Sequence, residues 1–104
     1  MQIQINTDNH IQNTESLRER IEAIATQELK HQRQHLTRVE YHLSDVNSGK
    51  AGAEDKRCLV EARPAGMQPV SAEHRADNIV LAITEATRQL NRVLTSAIGK
   101  AQNK

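Results

Sequence analysis

The 104-residue chain has no phenylalanine, no tryptophan and a single tyrosine, Tyr41. Its core must therefore be aliphatic, built from Ile, Leu, Val and Ala around one ring. Stacking of bases on paired aromatics, the device of many sheet-based RNA readers, is excluded. There is one cysteine, Cys58, so no disulfide can close within the chain. It sits in an alternating segment and reads as a small buried apolar residue rather than a reactive thiol. The formal net charge is only +1, from 14 basic and 13 acidic side chains, so global charge argues neither for nor against nucleic acid. Only local segregation of charge can decide. No apolar run approaches a membrane span. The first residues alternate instead of forming the apolar stretch of a signal peptide. The expectation is a reduced, cytoplasmic setting with no membrane, cofactor, metal or small-molecule substrate.

What the chain does have is a telling order of hydrophobic periods. Met1–Asn6 alternates, with Ile3 and Ile5 on one side. A helical stretch opens at Thr14, a plausible N-cap, and carries Leu17, Ile21, Ile24 and Ala25 on one stripe. It is expected to end between about Lys30 and His35. Thr37–Ser44, Lys56–Arg63 and Gln68–His74 alternate again, with Val39, Tyr41, Leu43, Cys58, Val60, Ala62, Val70 and Ala72 on the apolar side. Pro64 and Gly66 mark a turn, and Pro69 suits an edge strand. The polar stretch Asp45–Asp55, with Gly49 and Gly52, reads as a long and mobile hairpin loop. From Asp77 or Asn78 as cap, a second helix runs through Ile79, Ala82, Ile83, Ala86, Leu90, Val93, Leu94 and Ala97, with Gly99 as its stop. The pattern predicts one α+β domain over residues 1–104, in the order β-α-β-β-β-α. Its four-stranded sheet has one apolar face, and both helices must pack there.

No enzyme constellation stands out: there is no Gly-rich phosphate loop, no G-x-S-x-G and no H-E-x-x-H. His31 and His35 have the i, i+4 spacing of a helical metal pair, but no third ligand matches, and they read as solvated histidines in a basic stretch. Charge placement says more. Glu15, Glu19 and Glu22 precede Lys30 and Arg33 along the first helical stretch, and the basic end continues through His31 and His35 to Arg38. Macrodipole complementarity alone would favour such an order. On the last helix Arg88 and Arg92 lie one turn apart opposite the apolar stripe, and from Asn78 onward Glu85 is the only acid. The expected helix layer is basic in part and acidic at the start of the first helix.

These residues resemble the ribosome hibernation-promoting factor and protein Y family, also called ribosomal subunit interface proteins. Thr14-Glu15-Ser16-Leu17-Arg18-Glu19 is similar to the family's first helix opening. Arg38-Val39-Glu40-Tyr41-His42-Leu43 is similar to its second strand, and Ser71-Ala72-Glu73 to the end of its last strand. Arg88-Gln89-Leu90-Asn91-Arg92-Val93-Leu94 resembles its last helix. The resemblance implies the short form, without a C-terminal dimerisation extension. It implies a binding module rather than an enzyme, one that occupies the small ribosomal subunit near the decoding site during stress or stationary phase. There it would exclude mRNA and tRNA, with basic helix residues gripping rRNA phosphates. Arg18, Arg92 and Lys100 fall on basic positions of the family. Ile24, Gln27, Ser96 and Ile98 stand where well-known members carry lysines. The RNA-binding set expected from charge and resemblance together is Arg18, Lys30, Arg33, Arg38, Arg88, Arg92 and Lys100, centred on Arg88 and Arg92. The alternative is a protein-interaction domain that keeps this fold without rRNA and self-associates through the loop or an exposed sheet edge.

Overall fold

Strand periodicity with charged outer positions produces a sheet, and the helical stripes produce its cover. The computed structural model describes residues 1–46 and 55–102. Strands β1 (Gln2–Thr7), β2 (Leu36–Asp45), β3 (Lys56–Pro64) and β4 (Val70–Ala76) lie in spatial order β1-β2-β3-β4. β1 runs parallel to β2, and the other two pairings are antiparallel. Helix α1 (Glu15–Glu28) makes the crossover between the parallel pair, and α2 (Ile79–Gln102) follows β4. This is the predicted α+β order. The alternation also places the faces correctly. Ile5, Val39, Tyr41, Leu43, Cys58, Val60, Ala62, Ala72 and Ala76 share one core with Ile21, Ala25 and Leu29 of the first helical segment and with Ala82, Ile83, Ala86, Leu90, Leu94 and Ile98 of α2. Both helices therefore cover the same face.

The helices run side by side in the same direction. Val80 shares a groove with Leu17 and Ala23, Arg88 reaches Glu28, and Gln32 reaches Thr95. Both N-termini thus lie at one end of the layer and both C-termini at the other. Thr14 caps α1 by accepting from the Leu17 N–H at 3.1 Å, and Asn78 caps α2 by accepting from the Leu81 N–H at 2.8 Å.

Three boundaries differ from the sequence expectation. α1 stops at Glu28, with Leu29 as C-cap, so Lys30 and Arg33 lie beyond the helix. A short 3-10 turn, Arg33–His35, follows within the range where the helix itself was expected to end, and the His35 carbonyl accepts from the Ala65 N–H at 2.8 Å. Gly99 does not end α2, which continues to Gln102 because Ile98 is buried and the last turn sits against Gln34, Pro64 and Met67. The helix penalty of one glycine, about 1 kcal/mol, is smaller than that burial. At the start of β2 the register shifts between Leu36 and Arg38, so Thr37 is the extra residue. Its hydroxyl donates to the Arg63 carbonyl at 2.8 Å, and the bulge lets Leu36 join the core although alternation alone would turn it outward. Of the Asp45–Asp55 segment, Asp45 belongs to β2 and the Val46 N–H donates to the Asp55 carbonyl at 2.8 Å. The expectation of mobility falls on residues 47–54, outside the described residues.

Asp8 ties the end of β1 to its neighbours. One carboxylate oxygen accepts from the N–H groups of His10 and Ile11, the other from the Asp45 N–H at 3.0 Å. Desolvation pushes its pKa up, but the three backbone donors outweigh it and hold the carboxyl below the usual aspartate range. A depressed folded pKa stabilises above the unfolded value, near 3.9, and that contribution is lost as pH falls through the folded pKa. Asp8→Asn is therefore expected to lower stability at pH 7, with a deficit that shrinks progressively as pH falls below about 3.9. Urea unfolding at pH 7 and at about pH 3 measures it, and an equal deficit at both would contradict the assignment.

Candidate nucleic-acid interface

The two sides of the molecule treat their cations differently. Every described lysine or arginine on the strands is ion-paired. Arg38 meets Glu40 at 2.8 Å, Arg57 meets Glu73 at 2.8 Å, Arg63 meets Glu61 at 3.5 Å and Arg75 meets Glu73 at 3.9 Å. Lys56 lies 2.9 Å from Asp55 and 3.3 Å from Asp45. The Arg57 guanidinium, its strongest partner, holds the Glu73 carboxyl below its ordinary range against partial desolvation. On the uncovered sheet face every guanidinium thus has an acidic partner, with Glu73 shared between Arg57 and Arg75.

On the helix layer the pattern reverses. Among the described residues Arg18, Arg20, Lys30, Arg33, Arg92 and Lys100 make no ion pair. Four of these gather toward the C-terminal end of the layer. Lys30 and Arg33, with His31, Met1, Gln34 and Leu36, line one shallow depression. Arg92 and Lys100, two turns apart on α2, line another with Gln89, Val93, Ser96 and Ala97. The Gln32 side-chain amide donates to Thr95 Oγ1 at 3.2 Å and ties the segment after α1 to α2. The helix C-termini present unsatisfied carbonyls at this end, which favours cations there. At the opposite end Glu15, Glu19 and Glu22 are exposed along α1. The layer is bipolar, as the charge order implied.

The expected site residues divide accordingly. Lys30 and Arg33 share one depression and Arg92 and Lys100 another, both toward the C-terminal end of the layer. Arg18 is half-buried on α1, near the other end of the layer and outside the groove between the helices. Arg38 does not belong with them: it alternates with the inward Val39 and points to the opposite, ion-paired face. Arg88 is exposed but committed, 3.3 Å from Glu28 and 3.4 Å from Glu85, so its charge is locally cancelled. Arg20, overlooked in the sequence, lines the groove with Val80. Its signal was there: it precedes the buried Ile21 by one residue, which puts it about 100° round the helix from the buried stripe. Ile98 is buried and Ile24 packs against the core, so neither could be a surface cation here; Gln27 and Ser96 are exposed.

His31 and His35 both lie beyond the end of α1, one in a turn and one in the 3-10 helix, so they do not share the α-helical face a metal pair would need. Among the described residues no three His, Cys, Asp or Glu side chains converge on a point. No described helix is long and apolar enough to cross a membrane. Cys58 is fully buried, and desolvation pushes its thiol up to about 12, slightly countered by Arg57. That leaves almost no thiolate for chemistry at neutral pH.

A mixed sheet with two parallel helices on one face and unpaired cations at their shared end describes an α+β module with a phosphate-compatible surface. The chain belongs to the family described as sigma 54 modulation protein / S30EA ribosomal protein, whose model matches residues 3–102. Two solved structures share the fold. A ribosomal subunit interface protein from Coxiella burnetii is 16% identical with a TM-score of 0.78, over 95% of this chain and 99% of that one. The protein Y N-terminal domain from Thermus thermophilus is 20% identical with a TM-score of 0.70, over 90% of this chain and 96% of that one. No curated protein sequence matches.

Proposed function

We propose that this protein associates with the ribosome, binding small-subunit rRNA near the decoding site and blocking translation by occlusion. The observation that carries the reading is the segregation of unpaired cations. Lys30 and Arg33 in one depression and Arg92 and Lys100 in another have no acidic partners among the described residues, while every strand cation has one. Membership of the S30EA family and the fold shared with a ribosomal subunit interface protein support ribosomal RNA as the polyanion. With no phenylalanine or tryptophan and its one tyrosine buried, the chain would bind through phosphate contacts and shape.

Co-sedimentation with isolated small subunits at rising salt tests this. The protein should pellet with the subunit at low salt and leave it as salt rises. Single variants refine the site. Arg92→Ala should weaken binding and lower the salt slope by about one, as loss of one phosphate contact does. Arg88→Ala should leave the slope unchanged, because Glu28 and Glu85 already hold that guanidinium. Equal effects of the two would return Arg88 to the interface. No pelleting even at low salt would sink the rRNA reading.

A further inference from the structure

We propose that the open edge of β4 is a docking surface for a second copy of this chain, which adds its own β4 in antiparallel register centred on His74. β4 is an edge strand, and no other described element pairs with its outer side. Edges of this kind are usually blunted by charged side chains, lysine above all, by proline or by a bulge. Val70–Ala76, VSAEHRA, has no lysine, proline or bulge, and its two charges, Glu73 and Arg75, are of opposite sign, so they oppose some self-pairings and favour another.

The sequence of this edge selects one self-pairing. Ser71, Glu73 and Arg75 lie on the uncovered face, Ala72, His74 and Ala76 on the helix-covered face. A two-fold pairing must keep those faces together, so only every second register is allowed. Centring on Glu73 sets two carboxylates directly opposite, which is destabilising. Centring on Ala72 sets Arg75 opposite Pro69, which has no N–H for the ladder. Centring on His74 sets Glu73 opposite Arg75 of the second copy, twice by symmetry, and Ala72 opposite Ala76. Glu73 holds Arg57 through Oε2 at 2.8 Å, while its Oε1 makes only the loose 3.9 Å contact with Arg75 of the same chain. In the pair each Glu73 would bridge two guanidiniums. The other edge, β1, presents Gln2, Gln4 and Asn6 and offers no charge that fixes a register. The contact is a single strand pair, so a weak, concentration-dependent dimer is expected. It leaves Lys30, Arg33, Arg92 and Lys100 outside the strand pair.

Cross-linking tests the register. Cys58 lies directly opposite His74 in the β3–β4 ladder, so a cysteine at 74 would find it first. In Cys58→Ala/His74→Cys that competitor is gone, and the new thiol faces only its symmetry mate across the two-fold. Mild oxidation should give a disulfide-linked dimer. Cys58→Ala/Ser71→Cys, whose thiols lie far apart in this register, should remain monomeric under the same treatment. Sedimentation equilibrium of the unmodified protein should show dimer by about 1 mM, and Arg75→Glu should weaken it about tenfold by setting like charges face to face. A wild-type chain that stays monomeric at that concentration, or equal cross-linking of the two cysteine variants, would overturn the proposal.

Discussion

Replacing Lys30, Arg33, Arg92 and Lys100 together with alanine is expected to remove most of the salt-sensitive affinity for small ribosomal subunits. The four side chains are exposed and form no ion pair with a described residue, so the fold should barely notice, at about ±0.5 kcal/mol each. Binding should notice strongly. If each cation neutralises one phosphate, the slope of log affinity against log salt falls by roughly three to four. Between about 50 and 200 mM salt, four such contacts account for a change on the order of a hundredfold. The control is Arg38→Ala/Arg63→Ala, which removes two cations from the sheet face turned away from the helices. It should leave the slope intact, since those guanidiniums are already matched by Glu40 and Glu61. Titration of labelled protein into small subunits at several salt concentrations gives both slopes. A quadruple variant with the wild-type slope would place the contact elsewhere on the molecule.

The fold was legible because its signal is periodic and local. Alternation in four segments and two apolar helix stripes identify strands, faces and order without knowledge of any contact. The site was less legible because it depends on which distant charges meet. Nothing local reveals that Glu28 reaches Arg88; that pair exists only because α1 and α2 run parallel in this particular register. Arg38 was misplaced by treating the basic stretch from Lys30 onward as one surface. The 3-10 turn and the bulge at Thr37 intervene, and strand alternation then sends the side chain to the far face. Thr87 was missed for a different reason. It sits at the centre of the α2 stripe, between Ile83 and Leu90, but a hydroxyl does not register in a search for apolar periodicity. It is as fully buried as any leucine there.

That buried threonine carries the second large expectation, because it partners the chain's only aromatic ring. Tyr41 is fully buried on β2, and its hydroxyl lies 2.9 Å from Thr87 Oγ1. Thr87 also bonds the Ile83 carbonyl at 2.7 Å, and a carbonyl can only accept. The one hydroxyl proton of Thr87 is therefore spent on Ile83, and Tyr41 must be the donor in the pair. Burial drives the phenol pKa well above its ordinary value, although the Thr87 contact works the other way, so the donor stays protonated. This directionality makes the two conservative variants unequal. Tyr41→Phe removes the donor and leaves Thr87 satisfied through Ile83, which should cost about 0.5–1.5 kcal/mol. Thr87→Val strands the buried phenol without an acceptor, at about 1–3 kcal/mol. The double variant should cost less than the sum, since no polar group is left unpaired. Tyr41→Ala, which also empties the volume of the ring, should cost about 3–5 kcal/mol, a large share of the stability of a domain this size. Urea unfolding of the four variants ranks them. If Tyr41→Phe proves at least as damaging as Thr87→Val, the donor assignment is wrong and the threonine proton points to the tyrosine instead.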